Sequence, residues 1–322
     1  ELVKRGESLV LADDNESESH RVFAEEIGMP IVALNHSSEI NQLLKSVTRL
    51  APAPGIPEGH PVIVAARELG VEICSELELA YRFEQRRGIG PRPMVGITGT
   101  DGKTTTTLMA AAIIESAGLR TLAVGNTDLP LISALDTDAQ AFAVECSSFR
   151  LAHIQQFRMS ASAWLNFAPD HLDWHSNLND YFSAKAKMWA HCIEGDIAVA
   201  PFDNQQIVDI AQASKARVVT FGIADGDYHV NEGWLCGPMG RIMPISDMGR
   251  SLPHDVTNAL AAAAVCLESG LATVADAAIA LQKFKNAPHR IQFVGEKGGV
   301  RWFNDSKATS PHAVSVALKS FE

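Results

Sequence analysis

The sequence predicts an α/β protein with a mainly parallel central sheet, and two observations support that fold class. Apolar runs of strand length alternate with helical segments through the middle of the chain, as in parallel sheets. Strands are expected near 121–125, 142–145, 163–167, 196–200 and 218–221. In addition, the apolar run 94–97 leads into the glycine-rich stretch 98–104 and then into a helix that closes at Gly118.

The stretch 98–104 reads Thr-Gly-Thr-Asp-Gly-Lys-Thr and predicts a phosphate-binding loop. Such a loop offers backbone N–H groups and a helix N-terminus to phosphate oxygens. Lys103 would neutralise phosphate charge, and the Thr104 hydroxyl could reach a magnesium ion. The full pattern has glycine where this chain has Ile97, so the match is to a variant, and a Gly-Lys-Thr turn without function is the alternative. The other candidate nucleotide-binding residues here are Gly99, Thr100, Asp101, Gly102 and Thr105.

Composition limits the classes of partner. A length of 322 residues predicts two or more domains. The net charge of −11 argues against a general nucleic-acid or membrane surface but leaves room for a local basic pocket. Five cysteines without a Cys-x-x-Cys pair predict reduced thiols and a cytoplasmic location. We expect no signal peptide, and no apolar run approaches the ~20 residues of a membrane span. We expect a monomer.

Three domains are expected, at 1–82, 83–286 and 287–322. The first is Rossmann-like: a strand over 8–12 precedes Asp13, whose carboxylate could bind ribose hydroxyls or simply lie in a solvated turn. Residues 2–4 resemble the end of a helix, and the first strand of the unit is absent, so truncation is expected. Glycine and proline at 88–93 predict a linker. The last segment, with a hairpin around 296–299, is expected to be only the beginning of a third α/β domain.

Polar residues follow the predicted central strands, where α/β sheets place ligands. They include Asn126, Glu145, Ser147 and His171. Glu145 is either a sheet-edge solvent contact or a ligand for a hard cation such as magnesium. His171 is either structural, or it binds a second magnesium or orients a phosphate.

The helix expected over 178–191 places Lys185 in the middle of an apolar face, with Lys187 pointing to solvent. Lys185 could extend its amine out of such a position to water. Alternatively, a desolvated lysine tends toward the neutral amine, which can react with carbon dioxide to give an anionic carbamate.

Five segments in this order resemble the Mur ligase family of ATP-dependent amide-bond-forming enzymes. They are the phosphate loop, Glu-x-Ser-Ser-Phe at 145–149, Asn-x-x-x-Asp-His-x-Asp at 166–173, Tyr-x-x-Ala-Lys at 181–185 and Asn-Asp-Ser-Lys-Ala-Thr at 304–309. The second and fifth are similar to the D-glutamate-adding branch. Departures from the family pattern are Ala53, Arg150 and Asp255, where serine, glutamine and asparagine are expected.

The resemblance implies a reaction of ATP, UDP-N-acetylmuramoyl-L-alanine and D-glutamate through an acyl phosphate, with Mg²⁺, in peptidoglycan synthesis. It implies catalytic roles for Lys103, His171, Lys185 and Lys307. It implies ATP contacts from Asn258, Arg290 and Asp305, and magnesium held by Thr104, Glu145, His171 and carbamylated Lys185. Contacts to the other substrates are implied for Asp13, Pro54, Gly55, Asn126, Ser147 and Thr309.

Three alternatives remain open at this stage. A sister Mur ligase adding a different amino acid would share the ATP chemistry. A phosphate-loop hydrolase or switch would need no acyl acceptor. The chain could also be a non-catalytic binding fragment, and since its third domain is short, we expect that these 322 residues alone do not form the D-glutamyl product.

Overall fold

The computed structural model describes residues 1–15, 17–34, 36–308 and 311–321. Its N-terminal unit alternates short strands with helices and has a small apolar core around Leu44 and Ile63. The strands β1 and β2 pair in parallel, as do β3 and β4. The elements are β1 (Leu11–Asp13), α1 (Glu18–Glu26), β2 (Ile31–Ala33), α2 (Ser37–Ser46), β3 (Arg49–Leu50), α3 (Pro61–Glu68) and β4 (Glu72–Ile73).

The first strand was predicted over 8–12 and lies three residues later at its start. The helical end predicted at 2–4 is a short 3-10 turn, Val3–Arg5, closed by Gly6 in the left-handed region. Both differences in element bounds arise because this region has no strong apolar pattern from which to predict where an element begins or ends.

Helix α4 (Glu76–Gln85) follows the N-terminal unit in the chain and packs against the central sheet. Leu77 and Ala80 are fully buried in the same apolar cluster as Phe142 and Phe157. The segment predicted as a linker, 88–93, has no helix or strand. It is nevertheless tied down, because buried Arg92 pairs with Glu84 at 2.6 Å.

Six parallel strands form the central sheet, and β5 lies inside it between β8 and β7. The predicted parallel α/β fold is therefore confirmed. Its elements are β5 (Met94–Thr98), α5 (Lys103–Ser116), β6 (Thr121–Gly125), α6 (Leu131–Ala134), β7 (Ala141–Glu145), α7 (Ser148–Leu151), β8 (Ala161–Trp164), α8 (Leu178–Ala186), β9 (Ile197–Pro201), α9 (Gln205–Ala213) and β10 (Arg217–Phe221). The sheet order is β10-β9-β8-β5-β7-β6.

The sheet is covered on both faces because successive side chains of each strand point to opposite sides. Met94 and Phe142 face the layer that contains α4 and α6–α9. Val95 and Ala143 face α5 and two later helices. Burial on both sides explains why these strands read as continuous apolar runs.

Past the sheet come a three-stranded antiparallel sheet, two helices, a hairpin and a last helix. The hairpin was predicted; the three-stranded sheet was not. The elements are β11 (His229–Asn231), β12 (Trp234–Gly237), β13 (Gly240–Pro244), α10 (Pro253–Glu268), α11 (Val274–Lys283), β14 (Gln292–Lys297), β15 (Val300–Asn304) and α12 (Pro311–Lys319).

Three further sequence predictions can be compared with the structure. The helix expected over 178–191 ends at Ala186 and continues as a 3-10 turn, Lys187–Trp189. The five cysteines are free and buried, as expected for reduced thiols. No helix in the described part of the chain has the length and apolarity needed to cross a membrane.

Candidate active site

The glycine-rich loop joins β5 to α5 at the carboxyl edge of the sheet. Gly102 precedes the first helical residue with φ of 81°. A Cβ at this position would lie 2.5 Å from the Asn258 Oδ1 atom, so glycine is required both by the backbone angle and by the close approach of α10. The open N-terminus of α5 directs N–H groups into a cleft, as the phosphate-loop prediction requires.

Asn166, in the segment after β8, holds the loop in place. Its Oδ1 accepts hydrogen bonds from the backbone N–H groups of Thr100 and Asp101, both at 2.9 Å. Its amide nitrogen donates to the Asp101 carbonyl at 3.2 Å. The Thr100 hydroxyl donates to the carbonyl of Ala168 at 3.1 Å. The strand before this segment, β8, begins two residues earlier and ends three residues earlier than the predicted strand 163–167.

Two lysines meet at the loop carbonyl of Gly99. The Lys103 amine donates to Gly99 and Thr100 carbonyls at 2.9 and 2.7 Å. The Lys185 amine donates to Gly99 at 2.7 Å and lies 4.6 Å from the Tyr181 ring centroid. Burial lowers the pKa of Lys103, an effect opposed by the Glu145 carboxylate. Burial, reinforced by the Lys103 charge, lowers the pKa of Lys185 well below its ordinary value. The charged form of the Lys185 amine is therefore disfavoured relative to that of an exposed lysine.

Glu145 ends β7 beside the loop and is 2% exposed. Its Oε1 accepts from the Asn126 amide at 3.1 Å, and its Oε2 is buried without a hydrogen-bond partner. Gly125 permits this arrangement: its φ is 99°, and a Cβ would lie 2.4 Å from the Glu145 carbonyl oxygen. A half-satisfied buried carboxylate at the edge of a cleft is costly unless a ligand completes it.

His171 has a left-handed backbone, with φ of 54°. Its N–H donates to the Asp170 carboxylate at 2.8 Å, and its ring packs edge-on against Phe149 with centroids 4.7 Å apart. Burial lowers the pKa of His171, an effect that the Asp170 carboxylate opposes. A strained backbone and an imidazole with a shifted pKa in a cleft are typical of functional sites.

The segment after α11 docks on the first turn of α5. Arg290 donates to the Thr104 hydroxyl at 2.9 Å, and the Asn286 amide donates to the Thr105 hydroxyl at 3.1 Å. The Asp305 carboxylate accepts from the Ile291 N–H at 3.0 Å. Residues of the segment 286–305 thus form one wall of the cleft beside the phosphate loop.

Most predicted site residues meet in this cleft. Its lining includes Thr100, Asp101, Gly102, Lys103, Thr104, Thr105, Asn126, Glu145, His171, Asn258, Arg290, Asp305 and Lys307. The polar residues after strands β6, β7 and β8, and those of the third segment, therefore share one site.

Other predicted residues lie elsewhere. Gly99 and Lys185 are not on the cleft wall; the Lys185 amine lies behind the loop on the Gly99 carbonyl. Ser147, expected to contact substrate, is buried as the N-cap of α7. Asp13, Pro54 and Gly55 lie in the N-terminal unit, with the last two exposed. Thr309 lies outside the described residues.

Sequence reasoning missed Arg250, His254 and Asn286 as lining residues. Of these, only His254 could have been found from the sequence, because it begins the segment that resembles the family's nucleotide-contacting helix. With Arg250 the cleft contains four lysine or arginine side chains (Lys103, Arg250, Arg290, Lys307) against four carboxylates (Asp101, Glu145, Asp170, Asp305). It is far less acidic than the chain as a whole, which suits an anionic ligand.

A phosphate loop on the central strand of a parallel sheet, with converging cations, defines an α/β nucleotide-binding protein. Comparison with known proteins narrows the class. The family description Mur ligase middle domain matches residues 97–266, just over half of the chain.

Relatives named UDP-N-acetylmuramoylalanine--D-glutamate ligase match most of the chain. The Pelotomaculum thermopropionicum protein is 35% identical over 333 residues, covering 99% of this chain and 71% of its own length. The Frankia casuarinae protein is 36% identical, covering 84% and 58% respectively. The Escherichia coli K12 protein is 33% identical, covering 90% and 65%. The chain thus spans 58–71% of the length of these three relatives.

Solved structures share the fold. A MurF structure from Acinetobacter baumannii has a TM-score of 0.65 at 19% identity, covering 98% of this chain and 68% of that one. UDP-N-acetylmuramate-alanine ligase MurC from Thermotoga maritima has a TM-score of 0.58 at 20% identity, covering 99% and 73%. The chain belongs to the Mur ligase family, whose members are ATP-dependent ligases that form amide bonds.

Proposed function

We propose that this protein joins D-glutamate to UDP-N-acetylmuramoyl-L-alanine with ATP, as a cytoplasmic monomer in peptidoglycan precursor synthesis. The observation that supports the proposal best is the single cleft in which the phosphate loop, Glu145, His171, Arg290, Asp305 and Lys307 converge. D-Glutamate is favoured as the amino acid by the names of the relatives and by the Glu-x-Ser-Ser-Phe strand end.

The proposed reaction has two steps, formation of an acyl phosphate and formation of the amide. The terminal carboxylate of UDP-N-acetylmuramoyl-L-alanine attacks the γ-phosphorus of ATP, and ADP leaves with the bonding electrons. The D-glutamate amine then attacks the acyl carbon, phosphate leaves, and the nitrogen loses a proton as the amide forms. The first step brings anions together, so charge neutralisation and positioning are expected to dominate catalysis.

The chain's own cations suit the first step. Lys103 and Arg290 flank the first turn of α5, and Lys307 lines the same cleft. Lys103 is now bonded to loop carbonyls, and Arg290 to the Thr104 hydroxyl. We expect both to transfer these hydrogen bonds to phosphate oxygens when nucleotide binds. Asp305 and Asn258 are proposed to contact the nucleoside.

Mg²⁺ fits the acidic side of the cleft. In the described ranges, no three His, Cys, Asp or Glu side chains cluster into a complete metal site. The unpartnered Glu145 Oε2 atom is nevertheless what a cation would complete, and magnesium commonly combines one or two carboxylates with phosphate oxygens. We propose Glu145, Thr104 and His171 as its neighbours. When bound, the ion would offset negative charge on the transferring phosphate.

Lys185 is proposed to be carbamylated and to support the magnesium site. Burial lowers the pKa of its amine and so favours the neutral form, which is the nucleophile that carbon dioxide requires. Carbamylation would have to exchange the present hydrogen bond to Gly99 for a new arrangement.

The uridine nucleotide is proposed to bind the N-terminal unit, near Asp13, Pro54 and Gly55, with Asn126 and Ser147 toward the muramoyl end. Thr309 is proposed for the amino-acid side. We propose three domains as predicted, with the first boundary moved from 82 to about 75, because α4 packs in the central core.

The deciding experiment measures ADP formation and amide product for this chain and for a chimaera that adds the C-terminal third of a D-glutamate-adding relative. We expect the chimaera to form product with UDP-N-acetylmuramoyl-L-alanine and D-glutamate, but not with diaminopimelate. The 322-residue chain should bind ATP without making the D-glutamyl product. ATP hydrolysis that ignores the muramoyl substrate would instead indicate a phosphate-loop hydrolase.

Lys103→Ala should abolish ATP turnover by the chimaera while leaving the fold intact. Loss of a charge from the transferring phosphoryl group is expected to cost roughly 3 kcal/mol or more of transition-state stabilisation. Single-turnover ADP release measures this, with circular dichroism as the folding control. Lys215→Ala, which removes an exposed lysine outside the cleft, should behave like the parent.

A further inference from the structure

Arg250 is a cleft residue for which neither a sequence pattern nor the proposed chemistry accounts. It lies between the three-stranded sheet and α10, with its side chain 17% exposed. The preceding residue brings it close to α11: the Gly249 N–H donates to the Leu281 carbonyl at 3.0 Å. A Cβ on Gly249 would lie 2.6 Å from the Phe284 carbonyl oxygen, so only glycine permits this approach.

Asp255 orients the Arg250 guanidinium. This carboxylate is fully buried in the first turn of α10 and accepts from the Arg250 Nε atom at 2.7 Å. Its second oxygen has no hydrogen-bond partner, although the His254 ring nitrogen lies 3.4 Å away. A buried carboxylate requires a cation, and Arg250 supplies it.

The other side of the guanidinium holds the main chain that carries Arg290. The Arg250 Nη1 atom donates to the Arg290 carbonyl at 2.8 Å. Arg290 in turn donates through its side chain to the Thr104 hydroxyl at 2.9 Å. A continuous series of contacts therefore runs from Asp255 through Arg250 and Arg290 to the phosphate loop.

The backbone around Arg290 needs such support. His289 and Ile291 have φ angles of 64° and 44°, in the left-handed region that a β-branched residue rarely adopts. Conformations of this kind persist only where surrounding contacts impose them. The contacts that do so here include the Arg250 guanidinium on the Arg290 and Ile291 carbonyls, the Asp305 carboxylate on the Ile291 N–H, and the Lys307 N–H on the His289 carbonyl.

We infer that Arg250, oriented by Asp255, is a positioning residue: it fixes the backbone at 290–291 so that Arg290 is directed at the phosphate loop. The inference rests on the proposed function only in assigning Arg290 to nucleotide phosphates. It predicts that Arg250 affects nucleotide affinity through Arg290 and not through a contact of its own.

The test is a double-mutant cycle on the whole chain, with the affinity for ADP measured by calorimetry. Arg250→Ala should weaken binding about tenfold, close to the effect of Arg290→Ala. Adding Arg250→Ala to Arg290→Ala should weaken it less than about twofold further. Arg250→Lys should recover only part of the affinity, because one ammonium lacks the planar fork that binds Asp255 and the Arg290 carbonyl together. Arg241→Ala, which breaks an exposed pair with Glu232, is the matched control and should bind like the parent.

Hydrogen exchange provides a readout without nucleotide. Arg250→Ala should speed exchange in the peptide containing the Ile291 amide, whereas Arg290→Ala should leave that amide largely protected. Fully additive losses of affinity, or unchanged exchange at 291 in Arg250→Ala, would overturn the inference. Failure of the parent chain to bind ADP would instead count against the proposed function, and the exchange result would then decide the inference by itself.

Discussion

At the scale of single residues, two buried ionisable side chains lie beside the phosphate loop, Glu145 on the cleft wall and Lys185 behind the loop. Lys185 and Glu145 are 1% and 2% exposed. The Lys185 amine donates to a backbone carbonyl, and one oxygen of the Glu145 carboxylate has no hydrogen-bond partner. Such residues cost stability in the unliganded protein, which is the usual sign that a ligand or a modification completes them. Each therefore gives a prediction that separates function from packing.

For Lys185, carbon-13 bicarbonate added to this chain should give a carbamate signal by NMR that disappears in Lys185→Ala. In the ligase assay of the chimaera, Lys185→Ala should lose activity, and acetate should restore part of it by filling the vacated space. Lys215→Ala should keep the signal. If Lys185→Ala gives neither a lost signal nor rescue, Lys185 is structural.

Lys187 was expected to point to solvent and to be neutral on replacement. The residue is exposed as predicted, but its amine donates to the Ala152 carbonyl, and the partial burial of that amine lowers its pKa. Lys187→Ala should therefore cost about 1 kcal/mol of unfolding free energy, without affecting the carbamate signal. Urea unfolding measures that difference.

For Glu145, replacement by glutamine should abolish the effect of Mg²⁺ on ADP affinity while changing the free energy of unfolding by no more than about 1 kcal/mol. The reason is that the unpartnered oxygen lowers the stability of the free protein and makes a favourable contact only when the cation is bound. Calorimetry with Mg²⁺ and with EDTA measures the effect. Glu115→Gln, at the exposed end of α5, is the control. A magnesium effect of parental size in Glu145→Gln would remove Glu145 from the site.

At the scale of elements, α7 and the 171–175 turn before α8 are joined by a buried cluster of rings. His175 bonds the Ser148 hydroxyl at 2.9 Å and stacks near Phe149, and His153 packs against Trp174. One ring nitrogen of each histidine is buried without a partner. Because the His175 N–H also donates to the His171 carbonyl at 3.0 Å, the cluster supports the strained residue in the cleft.

This cluster should make stability depend on pH. Burial lowers the pKa of His153 and of His175 to about 4, from 6.5 for a free histidine. Between those values the unfolded chain binds more protons, so stability falls as pH decreases from 6.5 toward 4. At pH 5 the loss should be about 2 kcal/mol per histidine relative to pH 7.

Urea unfolding at pH 7 and pH 5 measures this loss. His153→Phe, which keeps a ring but cannot titrate, should reduce the difference between the two pH values. His191→Gln, at a partly exposed position, should retain it. An unchanged pH dependence in His153→Phe would show that His153 is not responsible.

At the scale of the whole molecule, α4 couples the N-terminal unit to the central sheet. Buried Glu78 accepts from the backbone N–H groups of Gln155, Gln156 and Phe157, and the buried Glu84–Arg92 pair anchors the following segment. We therefore propose that packing of this helix, and not the glycine and proline at 88–93, sets the boundary between the first two domains.

Two truncated chains should distinguish a domain boundary near 75 from one near 83. A chain starting at 75 should keep the thermal stability of the central unit and bind ADP, while losing the uridine substrate. A chain starting at 87 should be destabilised by at least about 3 kcal/mol, because it leaves Arg92 buried without Glu84 and removes Leu77 and Ala80 from the core. Calorimetric unfolding decides between them. Equal stability would place the boundary where the sequence suggested, near 83.

The sequence alone determined the parallel α/β fold, the phosphate loop and the family. These properties are encoded locally: strands buried on both faces read as apolar runs, and a loop that binds phosphate needs its glycines and lysine in adjacent positions. The same locality let residues after three strands be assigned to one edge, since parallel strands end together.

Only the tertiary structure decided which contacts the distant residues of the cleft make with one another. Arg290 and Thr104 lie 186 positions apart, and Asn286 and Thr105 lie 181 apart. Arg250 has no local pattern, since its place depends on a close approach of Gly249 to α11 and on a buried carboxylate in α10. Side chains brought together by packing leave no periodic trace in the chain, so contacts of this kind emerge only once the core has formed.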